Sequence, residues 1–409
     1  MTHSTRRDFL RSTAAASAVL TFTGTAPGFL QQAAAQGKSQ ERILVVVEMA
    51  GGNDGLNTIV PFGHDQYRKL RPELAIARED VLSIDDELGF HPSLQGFAEL
   101  LDAGRLAVVQ GVGYPDPNQS HFESMDIWHT CQRKNENRID GWLGRCLELN
   151  AGASQQDPAG LHLGSDKQPF ALMSRNIRVP SIRTLDQFKL KSDDDQFRAA
   201  VRELADARRD AGNDLLGFVQ TSTSSAIAAS ERIEAAGMQD KPSGEYPDSD
   251  LSRKLQTVAR LIRSGLKTTV YYVQIDGFDT HANQPAAHSS LLKKVGESVA
   301  AFVTDMVACG EGDRVLVMCF SEFGRRVQEN ASEGTDHGTA GPMFLVGTKL
   351  KAGLIGAHPS LDDLRNGDLK HHTDFRSVYA AVLENWLGCE SRTVLKGHFD
   401  PVDVLQANA

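Results

Sequence analysis

A chain of 409 residues, 40% hydrophobic, with 53 acidic against 43 basic side chains, is long enough to bury a large core and carries a formal charge of −10. That balance disfavours nucleic acid and anionic membrane surfaces as partners, and an anionic substrate would have to be met by local cations. Five cysteines without CxxC or CxxCH spacing argue against a disulfide framework, and Cys309 and Cys319, beside or inside apolar segments, read as buried thiols.

In chain order, the first feature is a leader. Arg6 and Arg7 stand before the apolar pair Phe9 and Leu10, and a weakly apolar stretch runs from Ala14 to Phe22. With the small residues Ala33, Ala34 and Ala35, residues 1–35 read as a twin-arginine export signal cleaved near Gln36. A spanning helix needs about 20 apolar residues. Thr21, Thr23, Gly24 and Pro27 interrupt this one, so no stable membrane span is expected in the mature chain. Export implies the twin-arginine translocase as a partner and a periplasmic or other extracytoplasmic destination. Cleavage would remove three arginines and one aspartate, taking the net charge to −12.

Residues 36–409 read as a single α/β domain. Short β-branched runs at Ile43–Met49, Leu106–Val112, Thr268–Ile275, Arg314–Phe320 and Met343–Gly347 suit strands covered on both faces. Helical patterns lie between or beyond them at Ser93–Gly104, Ser120–Cys131, Leu251–Ser264, Ser289–Cys309 and Phe375–Leu387. The alternation predicts a mostly parallel central sheet flanked by helices. From about 186 to 250 the pattern turns charged, then Ala-rich, then rich in turn formers, which predicts a helical insertion beside the sheet.

Sites in such sheets lie outside the carboxyl ends of the strands, and acids and histidines collect there. Asn53, Asp54 and Gly55 follow the first strand, although that trio is also an ordinary turn. Ser120 and His121 follow the second, and Ser120 with Glu123 forms a capping box. The 268–275 run leads to Asp276, Asp279 and His281, the last two on one face if the segment is extended. The 314–320 run leads to Ser321, Glu322, Arg325 and Arg326, then to Asp336, His337 and Gly338. Each group alone suits a loop. Together, carboxylates and imidazoles suit zinc, manganese or a related divalent ion. A hydroxyl at a helix start, such as Ser120, has amide donors beside it where a tetrahedral anion would bind.

Through Val46–Asn57, Gly277–Gln284, Ser321–Arg326 and Thr373–Arg376 the chain resembles DUF1501, a group of mostly uncharacterised exported proteins. That group is similar to the alkaline phosphatase and sulfatase superfamily. The resemblance implies an alkaline-phosphatase-like fold and hydrolysis of small anionic phosphate or sulfate esters over one or two divalent ions. It implies Ser120 as nucleophile, Asp279 and His281 at one metal, and Asp336, His337 and Asp54 at the other. Arg325 or Arg326 would brace the anion, and Glu322 is left as orienter, ligand or base. His121 and His129 read as structural helix histidines. Two features depart from the superfamily pattern: Asp279 and His281 are two apart rather than four, and none of the late histidines His358, His371 and His372 lies in a matching motif. Ser120 also lacks the sequence context for formylglycine. The rival readings are a non-catalytic exported binding or surface-assembly protein, and a metal-free serine esterase, which lacks the Gly-x-Ser-x-Gly elbow.

Overall fold

The seven residues of strand β1 (Ile43–Met49) are all buried. Ile43, Val45, Val47 and Met49 enter one apolar core, and Leu44 and Val46 enter another. Successive side chains of a strand point to opposite faces, so a nearly continuous apolar run marks a strand with protein on both sides. The computed structural model describes residues 41–150, 157–164, 167–183, 203 and 244–406. The leader at 1–35 and most of the expected insertion at 186–250 lie outside these residues. Arg42–Ala409 forms one compact unit.

The other strands of the main sheet are β2 (Leu106–Gly113), β3 (Gly160–Leu163), β4 (Ser181–Ile182), β5 (Val270–Ile275), β6 (Val315–Phe320), β7 (Gly341–Val346), β8 (Gly353–Ile355) and β9 (Thr373–Asp374). Their order is β8-β2-β7-β6-β1-β5-β3-β4, with β9 also paired to β2. β1 lies between β5 and β6, parallel to both, with Met49 opposite Ile275 and Glu48 opposite Phe320. The loops after these three strands therefore emerge together at one end of the sheet. Among the paired strands of this sheet, β7 alone runs antiparallel, against β2 and β6.

Helices α1 (Asp65–Leu70), α2 (Gln95–Asp102), α3 (His121–Thr130), α4 (Trp142–Asn150), α5 (Asp250–Arg263), α6 (Gln284–Ala308), α7 (Phe375–Val382) and α8 (Ser391–Leu395) follow the strands. Side chains of α2, α5 and α6 fill the first core, and those of α3, α4, α7 and α8 fill the second. α6 starts five residues before the expected Ser289. Pro285 lies in its first turn, where a missing N–H costs little, and Asn283 precedes it at φ +48°.

The cysteines require a correction. Cys146 on α4 and Cys389 beyond α7 form a disulfide across 243 residues, with Cα atoms 6.1 Å apart. Separation on that scale leaves no local spacing motif. Cys131 and Cys319 are buried free thiols, and Cys309 is free and half-buried. Closing so long a loop restricts the unfolded chain, so reduction should lower stability by about 2–5 kcal/mol. A thermal melt with and without dithiothreitol checks this, and the double Cys146→Ser, Cys389→Ser variant should melt with the reduced protein.

Two buried histidines predict a pH dependence. Burial holds His288 down to about 3 and His91 down to about 4. An unfolded imidazole titrates near 6.5, so in acid the unfolded chain takes up protons that the folded chain refuses. Their contribution is fully present above pH ~6.5 and is lost as pH falls toward 4 and then 3, by at most about 1.4 kcal/mol per pH unit for each ring. Urea midpoints should fall steadily from pH 7 to pH 5; an unchanged midpoint overturns the assignment.

Candidate metal centre

Three strand-end loops and one helix start meet at the carboxyl end of the sheet. After β5, Gly277 at φ +108° turns the chain and the buried Phe278 anchors it, which places Asp279 and His281 at the surface. Gly51, after β1, packs so closely that a Cβ there would lie 2.4 Å from the Asp279 backbone nitrogen, and its φ of +117° also favours glycine. After β6, Glu322 points inward, and a bridge between Arg325 and His337 brings the second half of that loop back beside the first. His121 is the first residue of α3, after Ser120 in extended conformation.

Asp279 is the common partner. Its Oδ1 lies 3.0 Å from His281 Nε2 and 3.1 Å from His337 Nε2, and its Oδ2 lies 3.4 Å from His121 Nε2. The Nε2 atoms of His281 and His337 are 2.9 Å apart. Ligand atoms of His121, Asp279 and His337 all fall within 4.8 Å of one another, a spacing that suits one metal ion. His121 and His337 rings meet edge to face at 4.3 Å, and the Phe323 ring packs against both.

The opposite nitrogen of each ring is also held. His337 Nδ1 lies 2.7 Å from the Gln119 carbonyl, His281 Nδ1 3.2 Å from Asp336 Oδ1, and His121 Nδ1 2.8 Å from Glu322 Oε1. A carbonyl or carboxylate oxygen only accepts, so each Nδ1 must carry a proton to donate to its partner. As neutral rings the histidines would turn three Nε2 lone pairs toward one carboxylate, and as imidazolium ions they would each donate to it. His121 Nε2 is enclosed and has no hydrogen-bond partner. Lone pairs at such distances repel, and either additional protons or a shared metal cation reconciles them. The donor set of imidazole and carboxylate fits zinc or manganese.

Charge at the cluster has identifiable sources. Burial opposes ionisation of Asp279, but hydrogen bonds from Arg325 and His337 outweigh it and hold the carboxyl at about 2. His121 is raised, chiefly by its hydrogen bond to Glu322. Asp336 is lowered, chiefly by the Asn330 amide and then by His281.

The residues expected from the sequence fall into different places. Asp279, His281 and His337 converge. Asp336 stands behind His281, and Glu322 behind His121. Asp54 does not join them. It is fully buried and accepts two hydrogen bonds from Arg71, at 2.6 and 2.9 Å, and one from Gln284 at 2.5 Å. The expected brace Arg325 is 1% exposed and turned inward, donating to the carbonyls of Gly51, Gly52, Phe278 and Thr335 and to Asp279. Arg326 is directed to Asp368 and the Asn366 carbonyl. Ser120 is exposed, precedes His121, and makes no capping hydrogen bond despite Glu123. His121 is the residue that sequence reasoning set aside as structural; its place at a helix start after a strand was the available signal. His129 is structural, buried against Glu48 and Tyr272.

No curated protein sequence matches the chain. Loose structural similarity extends to a sulfatase from Pseudoalteromonas sp. (10% identity, 92% of this chain and 74% of that one, TM-score 0.39). It also extends to a protein in the alkaline phosphatase superfamily from Vibrio parahaemolyticus (7% identity, 88% and 70%, TM-score 0.38). A third is the C-terminal periplasmic domain of EcEptC from Escherichia coli in complex with zinc (9% identity, 76% and 74%, TM-score 0.37). Overlaps this loose say nothing about which side chains act. The sequence itself matches the family described as protein of unknown function DUF1501 over residues 41–400, and the chain belongs to that family.

Proposed function

We propose that this protein is an exported, metal-dependent hydrolase of phosphate or sulfate esters. The observation that carries the reading is the convergence of three imidazole Nε2 atoms on Asp279 while every Nδ1 is held by an acceptor. His121, Asp279, His281 and His337 would hold a single divalent ion, which when bound supplies Lewis-acid activation. Ser120, adjacent in sequence to both Gln119 and His121, is the proposed nucleophile. Its Oγ attacks phosphorus or sulfur, the ester bond to the alcohol breaks, and the hydroxyl proton leaves to solvent. The departing alcohol takes its proton from solvent, and water then cleaves the ester on Ser120. First-turn amides of the helix His121–Thr130, which Ser120 does not cap, support the charge on the tetrahedral group.

Export is part of the same proposal. Paired arginines in the leader and the Cys146–Cys389 disulfide both suit an oxidising extracytoplasmic space. Among the described residues no helix is long and apolar enough to cross a membrane.

Elemental analysis of protein folded in the cytoplasm should find one zinc or manganese per chain. His121→Ala should lose it. Asp54→Ala should keep the stoichiometry but lose about 3–5 kcal/mol of stability, because Arg71 is left as a buried unpaired charge. Loss of metal in Asp54→Ala with His121→Ala unaffected would reverse the ligand assignment. On a panel of phosphomonoesters, phosphodiesters and sulfate esters, Ser120→Ala should cut kcat by roughly 10³-fold or more. Full activity in that variant removes the nucleophile. Bound metal with no turnover on any ester identifies the rival, a binding protein.

A further inference from the structure

We infer that Glu322 is a positioning residue that acts through His121, fixing that ring so that its Nε2 faces the metal position. The inference rests on the metal reading above. Glu322 is 1% exposed, two residues beyond β6. Its Oε1 accepts from the Gly51 amide at 2.9 Å and faces His121 Nδ1 at 2.8 Å. Its Oε2 accepts from the Gly51 and Gly52 amides at 3.2 Å each and from Ser321 Oγ at 3.1 Å. Both oxygens are thus engaged by fixed protein donors, so the carboxylate neither faces substrate nor has an oxygen to spare for a metal. Of the three roles open from the sequence, orienting remains.

The geometry makes the orientation specific. Two glycine amides fix the carboxylate from one side, and His121 Nδ1 meets it from the other. A proton on Nδ1 leaves Nε2 as a lone pair, and Nε2 is the enclosed, unpartnered atom aimed at Asp279. Phe323, the next residue in the chain, packs its ring 4.9 Å from the His121 ring and limits rotation. One short segment therefore sets both the tilt and the tautomer of a ligand that lies 201 residues away in sequence. Acceptors placed behind metal-bound imidazoles act in this way generally.

Glu322→Gln separates this role from a simple packing role. Its single amide oxygen is claimed by the Gly51 and Gly52 N–H groups, which turns the NH₂ toward His121 and favours a proton on Nε2 instead. Zinc affinity, measured by competition with a chromogenic chelator, should weaken about 10–100-fold. The ligand-field spectrum of the cobalt-substituted protein should change, while the circular dichroism of the metal-free protein should not. In a His121→Ala background the same substitution should weaken zinc binding no further. Unchanged affinity in Glu322→Gln, with the wild type binding zinc, overturns this inference alone. An equal loss with and without His121 also overturns it, because Glu322 would then act through the glycine loop. Failure of the wild type to bind zinc or cobalt overturns the metal reading together with this one.

Discussion

A buried guanidinium holds the carboxyl end of the sheet together. Arg325 binds the carbonyls of Gly51 and Gly52 after β1, Phe278 after β5 and Thr335 in its own loop, and it reaches Asp279 Oδ1 at 2.8 Å. Carbonyls in a tight strand-end turn cannot all find backbone partners, and leaving several buried without donors would cost kilocalories each. One planar cation with five N–H groups answers the need. The same contacts define where Asp279 sits, and Asp279 is the carboxylate that the three imidazoles face. A lysine here would offer neither the planar fork nor the same reach to separated loops.

A second buried cation shapes the site by exclusion. Arg71 follows α1 and enters the interior to meet Asp54, with both side chains fully buried. It also contacts Asn57 Oδ1 and the carbonyls of Arg326 and Val327, so its charge is dispersed over several oxygens. Burying such a pair is costly and is repaid only when the remaining lone pairs and protons are satisfied, as they are here. Asp54 is thereby a structural anion whose oxygens are turned away from Asp279. The acid after the first strand is present, but its counter-charge is built into the chain, and the donors left at the surface suit one ion.

The sheet was legible because its strands are covered on both faces: β1, β5 and β6 read directly from apolar runs whose ends lie within about two residues of the observed ones. Strands such as Gly160–Leu163 and Gly353–Ile355 were too short to stand out. Asp279, His281 and His337 were legible because an open parallel sheet collects its chemistry at one end. His121 was passed over because a lone helix histidine is usually packing, and only tertiary structure shows that Glu322 stands behind it. Arg325 and Arg326 show the converse limit. Adjacent arginines look alike in sequence, yet one is 1% exposed and the other partly open, a difference made by which carbonyls surround each.

Assembly order follows from the distribution of these residues. His121, Asp279, His281 and His337 come from three segments, and although Asp279 and His281 are neighbours in one loop, His121 and His337 reach them only in the assembled sheet. On the proposed reading, metal affinity is therefore a property of the folded sheet, since a cluster absent from the unfolded chain lends its binding energy to folding. The disulfide follows the same logic. Cys146 and Cys389 lie 243 residues apart, on α4 and beyond α7, and meet only when both helices have docked on the second core. A chain that folds before leaving the cytoplasm would complete the metal cluster there and close its disulfide afterwards, in an oxidising space. Folding would then set the ligand geometry first, and oxidation would lock a scaffold already formed.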